Sequence, residues 1–190
     1  MGLGQNPIQG SAYGASSRLL TTGEMVAPFG MFSLGTTSMG AGVLNLTFFT
    51  AVRSEVITQL SACSANTAAA ATPSLVKMGV YSVDSAGAGT LIANTASDTT
   101  LFAATNTIYT RNLVASFQKL AGQRYAFALL VVTATTAPTT VTTASITTIG
   151  GLLAAVAPRS AGTLAAQTDL PASFTDASLT GSVMRYGALL

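Results

Sequence analysis

The chain has 190 residues, only 7% of them charged against about 25% in typical soluble domains, and a net charge of +2. Its eight Lys and Arg are scattered from Arg18 to Arg185 with no two adjacent, which argues against a surface that tracks nucleic-acid phosphates. Histidine is absent, which excludes Ser-His-Asp and Cys-His nucleophile systems and the usual Cys/His zinc sites.

Residues 1–42 are Gly-rich, and their apolar residues, Leu19, Leu20, Met25, Val26, Phe29, Met31 and Phe32, keep no sustained period. This composition predicts an extended N-terminal arm. Its Met and aromatic residues predict that it lies against its own domain or a neighbour. Residues 43–190 are then expected to form the folded domain.

Residues 43–50 (VLNLTFFT) alternate, with Leu44, Leu46 and Phe48 on one side and Asn45 and Thr47 on the other, which predicts a strand. A corner at Arg53–Ser54 leads to a second strand over 56–63. Residues 66–73 read as a small-residue loop, with a helical turn at 68–71 stopped by Pro73.

Residues 74–93 (SLVKMGVYSVDSAGAGTLIA) predict a hairpin. Val76, Met78 and Val80 fall on one face, Lys77 and Tyr81 on the other. Asp84, Ser85, Gly87 and Gly89 supply the turn chemistry. Residues 94–107 read as a long polar loop with Leu101 and Phe102 tucked beneath it, and 108–117 resume a strand. Residues 123–133 (QRYAFALLVVT) are apolar on both faces: Tyr125, Phe127, Leu129 and Val131 against Ala126, Ala128, Leu130 and Val132. Such a strand belongs at the centre of a sheet covered on both sides. The Thr-rich stretch 135–148 suits an exposed strand or extended loop. Residues 150–176 are expected to be mostly irregular, and 182–190 to be a last strand.

Short strands, regular turn signals and no long amphipathic helix predict an all-β, antiparallel two-sheet β-sandwich, jelly-roll-like, behind the arm. A positive mean hydropathy of +0.53 comes from abundant Ala and scarce charge, a composition more at ease inside an assembly than as a dilute monomer.

Few side chains here are suited to catalysis. The two Glu and four Asp are isolated in sequence, and no phosphate-cradling or nucleophile-elbow motif occurs. No catalytic residue, cofactor or metal site is therefore expected. Asp84–Gly87 lacks the acidic series of a calcium loop and reads as a turn. The single cysteine, Cys63, reads as a buried structural thiol, and one cysteine allows no intrachain disulfide. No secretion signal or membrane segment is expected, because no charged start precedes an apolar run and the longest solid apolar run, 125–132, is too short to span a bilayer. Asn45-Leu46-Thr47 matches a glycosylation acceptor but sits in the expected strand. Tyr81, on the polar side of the hairpin, is the candidate surface contact, for a sugar or for a subunit interface.

The features GVYSVD–turn–LIA, S-x-DTTLF, Y-x-R-x-L and KLAGQRYAFALLVV follow one another through 74–132, with a looser match from Val43 to the terminal RYGALL. Together they resemble the β-sandwich domain in minor tail proteins of phages that infect actinobacteria. The resemblance implies a non-enzymatic virion structural protein, made in the host cytoplasm and exposed on the particle as a homotrimer among other virion proteins. Because the sandwich here stands nearly alone behind the arm, a capsid decoration or head spike protein is an alternative. A module contacting host cell-envelope glycans is a further one.

Overall fold

The computed structural model describes residues 23–26, 34–69, 73–133, 135–143 and 159–190. Among these, thirteen strands form in chain order: β1 Glu24–Met25, β2 Leu34–Ser38, β3 Leu44–Thr50, β4 Glu55–Cys63, β5 Leu75–Val83, β6 Gly89–Asn94, β7 Ile108–Lys119, β8 Arg124–Val132, β9 Thr139–Thr143, β10 Ala161–Leu164, β11 Ser173–Phe174, β12 Thr180–Gly181 and β13 Gly187–Leu189. A 3₁₀ turn over Asp176–Ser178 is the sole helical element among the described residues. None of their helices is long and apolar enough to cross a membrane.

Two antiparallel sheets pack as a sandwich. One has seven strands in the order β11-β6-β5-β8-β3-β10-β12, the other four in the order β1-β13-β4-β7, and β2 and β9 form a separate ribbon. The two sheets are unequal, seven strands against four.

The strand β8 lies at the middle of the large sheet, between β5 and β3. Its two apolar faces serve two separate cores, as the alternation requires. Tyr125, Phe127, Leu129 and Val131 join Val76, Met78, Val80, Ile57, Leu60 and Leu189 between the sheets. Ala126, Ala128 and Leu130 face the other way, with Leu44, Leu46, Phe48 and Tyr81. That outer face is covered by the C-terminal segment through Leu170, Phe174 and Leu179. Small alanines on this side leave room for rings: Phe174 stands 5.1 Å from the Tyr81 ring and 6.1 Å from Phe48. The long loop after β6 also turns its apolar residues inward, and Leu101 and Phe102 are fully buried.

The arm expected over 1–42 falls largely outside the described residues, but β1 pairs with β13 and β2 with β9, so those two stretches run as strands of the folded body. Thr140 and Thr142 in the Thr-rich stretch are fully buried, not exposed, because β9 lies against the buried Arg185. Residues 159–176 are mostly irregular, as expected, but carry two short strands of the large sheet, β11 at one edge and β10 between β3 and β12. The helical turn expected at 68–71 falls partly outside the described residues.

Candidate functional site

Polar chemistry concentrates in three places: a cleft at the hairpin tip, a buried acid–base cluster, and a buried arginine.

The cleft opens where the β5–β6 turn meets the C-terminal segment, with a volume of about 420 Å³. Asp84 builds the turn. Its Oδ1 accepts the Ala86 and Ala88 N–H groups at 2.9 Å each, and its carbonyl accepts Gly87 N–H at 3.1 Å. Gly87 suits its φ of +84°, and a Cβ there would make a tight contact, 3.1 Å from Asp176 Cβ. The cleft's other charges are Arg124, Arg159 and Asp176. Arg159 Nε pairs with Asp176 Oδ1 at 2.7 Å. Arg124 donates to the Arg159 carbonyl and lies over the Phe48 ring, 4.9 Å from its centroid. Burial lowers the Arg124 pKa, against the opposing pull of the Asp176 charge. The wall thus offers directional donors and acceptors, a set suited to hydroxyl- or charge-bearing ligands.

The second place unites residues that are distant in sequence. Both glutamates of the chain converge on Lys119 at the end of β7: Nζ lies 2.5 Å from Glu24 Oε2 and 2.7 Å from Glu55 Oε1. The Lys119 and Glu24 side chains are 0% exposed. Arg53 completes the group, with Nε 2.8 Å from Glu55 Oε2 and Nη2 donating to the Gly23 carbonyl at 2.5 Å. Burial acts to raise the Glu55 pKa, but the hydrogen bonds and charges of Lys119 and Arg53 outweigh it and hold the carboxyl below its usual range. Sequence inspection sees Glu24 and Glu55 as isolated, and only the pairing of β1 and β4 through β13 brings them together.

The third place is Arg185, 3% exposed, whose guanidinium meets no carboxylate within ion-pair distance among the described residues. It donates to Asn45 Oδ1 (2.9 Å), Thr140 Oγ1 (2.5 Å) and the carbonyls of Thr37 (3.0 Å) and Ser38 (2.8 Å). Burial pulls its pKa down to about 10. This explains the buried threonines of β9 and the polar face of β3.

The expected surface contact, Tyr81, is corrected. It is 0% exposed, because the 165–180 segment covers the face that looked open in the hairpin alone. Its hydroxyl donates to the Pro171 carbonyl at 2.8 Å, and burial, helped by the Asp169 charge, pushes its pKa well up. Its neighbour Lys77 pairs with Asp169 at 2.8 Å. Cys63 is half-buried, with Sγ donating to the Ser64 carbonyl at 3.2 Å, and burial raises its pKa. Among the described residues no three His, Cys, Asp or Glu side chains group to hold a metal ion.

No known protein family matches the chain, and no curated protein does.

Proposed function

We propose that this chain is a non-enzymatic structural protein of a phage virion, a minor tail or tail-tip component exposed on the particle. The observation that carries the proposal is the run 74–132, whose successive features resemble the minor-tail sandwich domain and which here supplies β5 through β8. A charge-poor surface adds support, since Val56, Ile108 and Val114 on β4 and β7 are more than half exposed and suit contact with another chain. The proposed assembly is a homotrimer held among other virion proteins.

Labelling purified particles of the encoding phage with antibody against this chain tests the proposal. Label at the tail supports it. Label spread over the shell at hundreds of copies instead assigns the chain to capsid decoration, and unlabelled particles remove the virion role.

A glycan-contacting role is a second proposal, favoured by the hairpin cleft. Arg124, Arg159 and Asp176 present fixed donors and acceptors at an open concave surface, the arrangement that binds sugar hydroxyls. Tyr81 has no part in it. Binding of host-wall glycans that is lost in Arg124→Ala and kept in Tyr81→Phe supports this role, and no glycan binding by the wild-type chain removes it.

A further inference from the structure

We propose that Glu24 and Lys119 condense into an intramolecular amide that locks β1 to the end of β7. The two side chains are fully buried and in direct contact, and each reactant has a partner placed for the reaction. The Val52 N–H faces both Glu24 carboxyl oxygens at 3.3 Å. Glu55 Oε1 lies 2.7 Å from the Lys119 nitrogen as an ion pair, with a lone pair that no hydrogen bond among the described residues occupies, and its Oε2 lies 2.8 Å from Arg53 Nε. Arg53 also ties down the Gly23 carbonyl, which fixes the backbone beside Glu24.

The chemistry balances without any co-reactant. One proton passes from the ammonium to the Glu24 carboxylate, giving an amine and a carboxylic acid. The amine lone pair attacks Cδ of Glu24 and a C–N bond forms. Val52 N–H donates to the oxygen on which negative charge develops. Glu55 takes a proton from the attacking nitrogen and passes it to the departing hydroxyl. The C–O bond breaks, one water leaves, and Glu55 returns to its starting form. Nothing is oxidised or reduced.

In bulk water the separated ions are favoured, because ammonium and carboxylate are strongly hydrated. That advantage is lost here, where neither group reaches solvent. Holding the reactants together supplies effective molarities of about 10⁵ M or more. Exclusion of water then protects the product from hydrolysis. Because β1 and β7 are the two edge strands of the small sheet, the bond would clasp it from edge to edge.

The test is the intact mass of the full chain under denaturing conditions, followed by protease digestion and fragment sequencing. The expected result is a mass one water below that of the sequence, with a branched peptide joining Glu24 to Lys119. Lys119→Arg should restore the full mass, because a guanidinium does not condense. Glu55→Gln should slow formation by about 100-fold or more, the usual worth of general acid–base catalysis. A wild-type chain at full sequence mass overturns the proposal whether or not any variant folds. A deficit that persists in Lys119→Arg also overturns it.

Discussion

Arg185 ties the β2–β9 ribbon to β3 and to the approach to β13. A buried acceptor that loses its donor costs about 1–3 kcal/mol, and Arg185 satisfies several. Arg185→Met should therefore lower stability by on the order of 3 kcal/mol or more in a urea titration. Arg185→Lys should recover little, because one ammonium cannot span acceptors placed for a planar fork of donors. A Lys variant as stable as wild type would show that charge alone matters at this position. The glycines permit an equally local test. A Cβ on Gly187 would stand 2.4 Å from the Phe127 ring, and one on Gly122 would meet nothing within 4 Å although φ is +79°. Gly187→Ala should cost about 1–3 kcal/mol through overpacking, and Gly122→Ala about 1–2 kcal/mol through backbone strain alone. Thermal melts of the two variants, with the crystal structure of each, separate clash from strain.

At the scale of elements, the segment after β10 converts an open sheet face into a second core. Phe174 is its anchor, packed on Tyr81 and Phe48 and so close to Gly89 that a Cβ there would stand 2.2 Å from its ring. Phe174→Ala should cost about 3–5 kcal/mol and expose Tyr81 to solvent, read as quenching of tyrosine fluorescence by iodide. Tyr81→Phe removes one hydrogen bond, to Pro171, and should cost only about 1 kcal/mol. The loop after β6 is set by Asp98, which accepts from the Thr100 hydroxyl at 2.6 Å and pairs with Arg111 at 2.6 Å. The Thr100 hydroxyl, against a smaller burial effect and with help from Arg111, lowers the Asp98 pKa. A carboxyl whose pKa is lowered on folding stabilises the native state above the ordinary value near 4, and that stability is lost as pH falls through the folded value. Urea midpoints should fall as pH drops below about 4, and the fall should be shallower in Asp98→Asn. The half-exposed Lys77–Asp169 pair should contribute little to it, because solvent screens it.

Over the whole molecule, charge is scarce and largely spent internally. Five of the six acidic residues, Glu24, Glu55, Asp98, Asp169 and Asp176, stand in ion pairs, and the sixth, Asp84, builds a turn. Little unpaired acidic charge remains to keep copies apart, which favours association. The proposed trimer should appear in light scattering as three times the 19.1 kDa chain mass. Removing residues 1–22, which leaves Glu24 in place, should shift it toward monomer if the arm joins neighbouring chains. A wild-type monomer that the deletion leaves unchanged would count against both the trimer and the role of the arm.

The sequence by itself determined the central strands of the large sheet and their faces. The alternation at 43–50, 74–83 and 124–132 is a local property with a period of two, and β3, β5 and β8 follow it. It also determined that β8 is covered twice, since both its faces are apolar, and that Leu101 and Phe102 turn inward. Only the tertiary structure decided what covers each face. Lys77 and Tyr81 share a polar-looking side of the hairpin, yet Tyr81 is buried by a segment about ninety residues away in the chain. The meeting of Glu24, Glu55 and Lys119, and the enclosure of Arg185 among threonines, were decided the same way. Periodicity reports which side of a strand is apolar. Which distant side chains meet there is set by sheet order and chain return, and neither leaves a mark on the local pattern.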